Sequence, residues 1–225
     1  MNKIHPTVII EGDVKLGENN EILPYSVLYG PLEIGDNNLI GPHVIIGTSG
    51  EDTKDPRYDA SNNLIKIGNN NIIREYSVIQ KPRYEDSTQI GNDAYLMTGA
   101  YVPHDAILYD GVTLSPHVAI GGISRLMKSC TIGMGASVHQ YSIIGQYSMV
   151  AANSAVIKNV KPFSRFIPGK PISINLYAIK KYGFEAFEKE IASYVLEDII
   201  PHNLEILLII EEFMKLHLAS KRRLY

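Results

Sequence analysis

An aliphatic residue returns every six positions along most of this chain, and that beat decides what the chain can fold into. From Ile90 it runs through Leu96, Val102, Leu108, Leu114, Ile120, Leu126, Ile132, Val138, Ile144, Val150 and Val156 without a miss. The opening third keeps the same count at Ile4, Ile10, Leu16, Ile22, Leu28, Ile34, Ile40 and Ile46. A period of six fits neither the 3.6 of a helix nor the alternation of a long strand. It prescribes short strands broken by regular turns, three to a coil of about 18 residues.

Glycine follows the aliphatic at Gly17, Gly35, Gly41, Gly47, Gly68, Gly91, Gly121, Gly133 and Gly145, the pattern of a hexapeptide repeat. The residue four beyond each aliphatic is small, as at Ala106, Val112, Val118, Ser124, Cys130, Ala136 and Ser142. Cys130 therefore reads as packing. Asn20 and Asn38 fall one coil apart on this inward row, where side-chain amides can ladder.

Two breaks interrupt the count. Ile46 and Ile67 lie 21 apart, which is not a multiple of six, and the text between them is polar and turn-rich. This predicts a loop over 48–64, and a second loop over 80–88 carries Lys81, Pro82, Arg83 and Tyr84. Loops that leave a strict scaffold either display binding residues or cap a subunit contact. After Val156 the beat fades and Pro162, Pro168 and Pro171 change the texture. Helical spacing follows over 173–182, 185–199 and 203–218. The predicted division is a β-helix over 1–161 and a C-terminal linker and helical region over 162–225. Such a prism has flat sides on which subunits pack, trimerisation being the usual solution.

With 21 basic and 24 acidic residues the formal net charge is −3, so the electrostatic footprint of a nucleic-acid binder is absent. A small molecule or a protein is the expected partner. The single cysteine fits a reducing compartment. The repeat begins at Ile4, leaving no room for a signal peptide, and no apolar run reaches membrane-spanning length, so no membrane insertion and a cytoplasmic location are expected.

One polar residue stands inside the beat where chemistry is possible. In Tyr101-Val102-Pro103-His104-Asp105, His104 lies outside the inward row, and one coil later comes Gly122. Neighbouring coils are about 4.8 Å apart, so an imidazole at 104 sits beside a backbone with no side chain in the way. That pairing suits acyl transfer. His104 takes a proton from an attacking amine or hydroxyl, the Gly122 N–H stabilises the oxyanion, and Asp105 orients the imidazole. The plain alternative is a polar residue at a subunit seam. A metal site built from His104, His117 and His139 is a further alternative, although the three occupy different places in their hexads. His5, His202 and His217 read as surface or packing residues.

Several runs resemble the UDP-N-acetylglucosamine acyltransferases of lipid A biosynthesis and related N-acyltransferases of nucleotide-linked amino sugars. They are Ile73-Arg74-Glu75, Val78-Ile79, Leu96-Met97, His104-Asp105, Val138-His139-Gln140, Ile143-Ile144-Gly145, and Asn175 and Lys180 with Gly183-Phe184. The resemblance implies a trimeric left-handed parallel β-helix with sites between subunits and direct transfer from an acyl thioester, without a bound cofactor or metal. It implies His104 as general base, Asp105 as its partner, Gly122 as oxyanion donor, His139 and Gln140 as contacts to substrate or acyl chain, and Asn175 as a nucleotide contact. The chain departs from the lipid A enzyme at Tyr101 and Ile123, where that enzyme has histidines. It departs again at Tyr177, Lys181 and Tyr182, in place of a glutamate and two arginines.

Because the base and glycine are kept while the sugar-nucleotide contacts change, the sequence predicts the same reaction on a different acceptor. The expectation is an acyltransferase moving an acyl group from an acyl-CoA or acyl-carrier-protein thioester to the amino group of a nucleotide-linked sugar, for surface polysaccharide. Tyr101 and Lys181 join His139, Gln140 and Asn175 as expected substrate contacts. The alternatives are O-acylation of UDP-N-acetylglucosamine in lipid A biosynthesis and a non-catalytic β-helix scaffold. Lys221-Arg222-Arg223 reads as a solvated helix end, or as an attraction for an acidic carrier.

Overall fold

Each aliphatic of the beat turns inward, and together they form one continuous core along the axis of a left-handed parallel β-helix. The computed structural model describes residues 1–52 and 63–225. Residues 53–62 of the expected 48–64 loop lie outside the described residues. From Ile22 to Val156 the members of the beat are at most 4% exposed. Ile4 and Ile10 are 41% exposed, because their strands pair with a coil on one side only. Truncating a buried member, for instance Leu96→Ala, costs about 2–5 kcal/mol through lost transfer energy and the cavity left behind.

Three parallel sheets make the walls. On the first, Tyr95 pairs with Thr113, Thr113 with Thr131 and Thr131 with Met149. On the second, Tyr101 pairs with Ala119 and Ala119 with Ser137. On the third, Ile107 pairs with Arg125 and Arg125 with Ile143. Every step is 18 residues, so one coil equals three hexads. Across the two breaks the steps lengthen: Leu39 pairs with Ile72 and Ile72 with Tyr95, 33 and 23 apart, so the excursions add fifteen and five residues to their coils.

Corners are made by a residue with positive φ three places after the aliphatic, among them Asn19, Asn37, Asn70, Asp93, Asp105 and Asn153. Asn and Asp tolerate this region better than most residues. The asparagine ladder is longer than the sequence suggested. Asn2 Oδ1 accepts the Asn20 N–H, Asn20 Oδ1 the Asn38 N–H, Asn38 Oδ1 the Asn71 N–H and Asn71 Oδ1 the Ala94 N–H, all at 2.7–2.9 Å. Cys130 is fully buried, and burial pushes its thiol well above the ordinary range.

Stacking runs on past residue 161, where Ser164–Phe166 pairs in parallel with Met149–Val150. Ser173–Ile174, expected as helix, is instead a strand antiparallel to Ser164–Phe166. The helices are α1 (Leu176–Lys181), α2 (Glu188–Glu197, after a 3-10 turn at Glu185–Phe187) and α3 (Leu204–Ala219). Asn175 and Asn203 cap α1 and α3 by accepting the Ala178 and Ile206 N–H groups. Ile179, Ile191, Val195, Ile206 and Ile210 pack with Tyr147 and Phe163, and Phe213 packs on Met127 and Ile143 of the third wall.

Candidate active site

One corner of the prism, between the second and third walls, gathers the features that sequence reading found separately. Both excursions leave from it: one between strands Ile45–Thr48 and Leu64–Ile67, the other between Val78–Gln80 and Ser87–Ile90. His104-Asp105 turns the same corner one coil later, Gly122-Ile123 the next, and Gln140-Tyr141 the one after. His104, Gly122 and Gln140 thus form a column with a step of 18.

Asp105 takes φ 62 at the corner, which aims its carboxylate back at the second excursion. Its Oδ1 accepts the N–H groups of Arg83, Tyr84 and Glu85 at 2.8, 3.1 and 2.9 Å. Its Oδ2 contacts His104 Nδ1 at 2.7 Å, and its own N–H donates to Thr88 Oγ1 at 2.9 Å. Arg125 closes the back by donating to the Asp105 carbonyl at 2.8 Å. Burial pushes the Asp105 carboxyl up, but the His104 contact and the three amides outweigh it and hold the group below the ordinary carboxylate value. An ionised carboxylate only accepts, so His104 Nδ1 carries a proton and the neutral ring keeps its lone pair on Nε2. The hydrogen bond to Asp105 raises the His104 pKa, against the lowering effect of burial.

His104 is 8% exposed because backbone closes on both sides of its ring. A β-carbon at Gly122 would lie 2.4 Å from Cε1 and 2.5 Å from Nε2, and one at Gly50 3.2 Å from Cδ2. Only glycine at 122 lets the ring lie where it does. The next residue, Ile123, adopts φ 61, a strained conformation for a β-branched side chain.

Asp52, Tyr84 and Arg83 complete the enclosure, and sequence reading assigned none of them to the site. Asp52 Oδ1 stands 4.0 Å from His104 Nε2, while its Oδ2 accepts the Tyr84 hydroxyl at 2.8 Å and pairs with Arg83 Nη1 at 2.9 Å. The Tyr84 ring meets the imidazole edge-on at 5.8 Å between centroids. One signal for them was available: both breaks fall at the same phase of the hexad count as His104. Tyr101 lies beside this group, its hydroxyl 3.0 Å from Gln80 Oε1 and 3.2 Å from Glu51 Oε2. Burial and the neighbouring Glu51 push that hydroxyl above its ordinary pKa, so it stays protonated.

His139 and Gln140 are exposed at the corner two coils beyond His104. Arg222 reaches them from the C-terminal tail, its Nε donating to Gln140 O at 3.1 Å and its Nη2 meeting His139 Nδ1. Asn175 and Lys181 are elsewhere in the chain. Asn175 donates to Tyr147 O at 2.9 Å, and with Lys181, Tyr177 and Tyr182 it lines a cleft of about 240 Å³ against Thr131 and Met149 of the first wall. Lys181 Nζ stands 5.0 Å above the Tyr182 ring and 6.0 Å above that of Tyr177. The corner column and this cleft lie on different edges of the prism. His117 turns a third edge, its ring against Gly99. Among the described residues no group of three or more His, Cys, Asp or Glu side chains is placed to hold a metal ion. None of their helices is long and apolar enough to cross a membrane.

Comparison with known proteins agrees with the repeat. Residues 13–48 match the family described as bacterial transferase hexapeptide (six repeats). The chain is 35% identical over 205 residues to the acyl-(acyl-carrier-protein)–UDP-N-acetylglucosamine O-acyltransferase of Burkholderia orbicola, covering 83% of this chain and 78% of that one. It is 30% identical over 185 residues to the enzyme of the same name from Gloeothece citriformis, covering 80% of this chain and 59% of the relative. The chain thus spans little more than half the length of the latter. Among solved structures, the UDP-N-acetylglucosamine acyltransferase from Campylobacter jejuni superposes with a TM-score of 0.82 at 22% identity, covering 99% of this chain and 98% of that one. At that identity the likeness speaks for the fold.

Proposed function

Because the chain belongs to the hexapeptide-repeat acyltransferases, closely related to the UDP-N-acetylglucosamine acyltransferases, we propose that it transfers an acyl group from an acyl-carrier-protein or coenzyme A thioester to a hydroxyl of UDP-N-acetylglucosamine, an early step toward lipid A. The observation that carries this reading is His104, bonded through Nδ1 to a buried carboxylate and lying flush on Gly122. His104 Nε2 removes the proton from the attacking hydroxyl, whose oxygen bonds to the thioester carbonyl carbon. The Gly122 N–H stabilises the oxyanion of the tetrahedral intermediate. Collapse expels the thiolate, which takes the proton back from His104, and the imidazolium between the two steps is favoured by Asp105.

The relatives' names support oxygen as the acceptor, in place of the nitrogen favoured by sequence reading. One feature favours nitrogen as a second reading: Asp52, 4.0 Å from Nε2, is a carboxylate where an acceptor ammonium would be held before deprotonation. Product analysis separates them. With acyl-carrier-protein donor and UDP-N-acetylglucosamine, the first reading gives an ester cleaved by alkaline hydroxylamine. The second gives a hydroxylamine-stable amide, formed only with an amino-sugar acceptor. If no donor yields either product, both fail and the scaffold reading stands.

The working form we propose is a homotrimer with each site between subunits. The separation of the His104 corner from the Asn175–Lys181 cleft supports it, because a substrate that uses both groups of residues needs a second copy to bring them together. Sedimentation should then report three times the 25.0 kDa chain mass.

A further inference from the structure

The tail beyond α3 is fastened down as if it belonged to a coil. Asn159 N–H donates to Arg223 O at 2.8 Å and Tyr225 N–H to Asn159 O at 3.1 Å, forming a parallel bridge. The Tyr225 ring lies 4.3 Å from that of Phe166, and its hydroxyl accepts the Ile157 N–H at 2.8 Å. On the other side, Ser220 Oγ donates to Tyr141 O at 3.3 Å and Lys221 Nζ stands 4.7 Å over the Tyr141 ring. Arg222 is held between these anchors, half-buried, with its side chain on His139 and Gln140 at the edge that carries His104. Lys221 and Arg223 on either side of it are exposed, as expected of a solvated helix end.

A guanidinium has N–H donors and no acceptor. At the contact with Arg222, His139 Nδ1 must therefore accept, which overrides the longer 3.4 Å approach of the same nitrogen to Gln140 O, and the neutral ring carries its proton on Nε2. The second arm of the fork donates to Gln140 O, so one side chain sets both the tautomer of His139 and the path of the backbone beside it. We propose that Arg222 is a positioning residue of the acyl-transfer site, presenting His139 as an Nε2–H donor to an oxygen of the acceptor or acyl donor. This rests on the reading of the His104 corner as that site. Lysine, with one point charge on a flexible stem, cannot hold both contacts in one plane.

Nitrogen NMR of ring-labelled histidine at about pH 8.5, above the ordinary histidine range, tests the tautomer without any substrate. His139 is identified by its loss in His139→Ala. The wild type should show a single Nε2–H tautomer, and Arg222→Gln a mixture. In steady-state kinetics Arg222→Gln should lower kcat/KM about tenfold, Arg222→Lys should recover little of it, and His139→Ala/Arg222→Gln should be no worse than His139→Ala. An unchanged His139 spectrum in both variants, or losses that multiply in the double variant, would overturn the proposal. If Arg222→Gln does not fold, Arg222→Lys carries both measurements. Failure of the underlying reading looks different: His104→Ala would keep its acyl transfer while the His139 spectrum still responded to Arg222.

Discussion

Gly122→Ala is the smallest change that reaches the centre of the site. The backbone at 122 lies outside the positive-φ region that only glycine favours, so alanine is conformationally allowed there. Its β-carbon would nevertheless stand 2.4 Å from Cε1 and 2.5 Å from Nε2 of His104, whereas carbon atoms in contact settle near 3.5 Å. The ring must therefore retreat by about 1 Å. It has little room, because Gly50 backs it on the Cδ2 side and the 2.7 Å bond to Asp105 holds Nδ1. A displacement of about 1 Å from reacting geometry is worth roughly 10²-fold in rate, or about 2.7 kcal/mol of barrier. The assay is kcat/KM with a thioester donor, run beside thermal unfolding. We expect a fall of roughly 10²-fold with the melting temperature nearly unchanged. Gly122→Ala in a His104→Ala background should add nothing, since the clash then has no partner. Wild-type kcat/KM in a folded Gly122→Ala protein would refute the placement of the base against this backbone.

Asp105→Asn removes the partner that raises His104 above its ordinary value of 6.5, so the acid limb of the pH–rate profile should move to lower pH as the plateau falls at least tenfold. In stability, the depressed Asp105 contributes fully above its ordinary 3.8 and the raised His104 fully below its ordinary 6.5. Urea unfolding should therefore show the largest wild-type advantage over Asp105→Asn between these values, fading as pH falls through the lowered Asp105 pKa or rises through the raised His104 pKa. Asn38→Ala strands the Asn71 N–H and loses the bond from Nδ2 to Gly68 O at 3.0 Å, so chemical denaturation should report a loss of roughly 3 kcal/mol. Cys130, buried with its thiol pushed up, should resist thiol reagents in the native protein and react on unfolding.

The sequence made the scaffold legible because a solenoid repeats its local rule. Counting by six finds the inward row, and counting by eighteen sets Gly122 beside His104. Where the count breaks, legibility stops. Asn71 belongs to the asparagine ladder but stands 33 residues after Asn38, so the step of 18 misses it. Asp52 reaches the imidazole, and the amides of 83–85 the Asp105 carboxylate, from excursions that carry no repeat of their own. Arg222 comes from the far end of the chain, where nothing periodic ties it to His139. Ser173–Ile174 reads as helix in isolation because its strand character comes from pairing with Ser164–Phe166, a tertiary effect that outweighs local propensity.

Whether His104 is the base of an acyl transfer is read from single-turnover formation of acylated nucleotide sugar by wild type and His104→Ala from the same thioester. The wild type should transfer the acyl group, and a folded His104→Ala protein should do so at least about 10²-fold more slowly. Equal single-turnover rates in the two proteins would contradict that role.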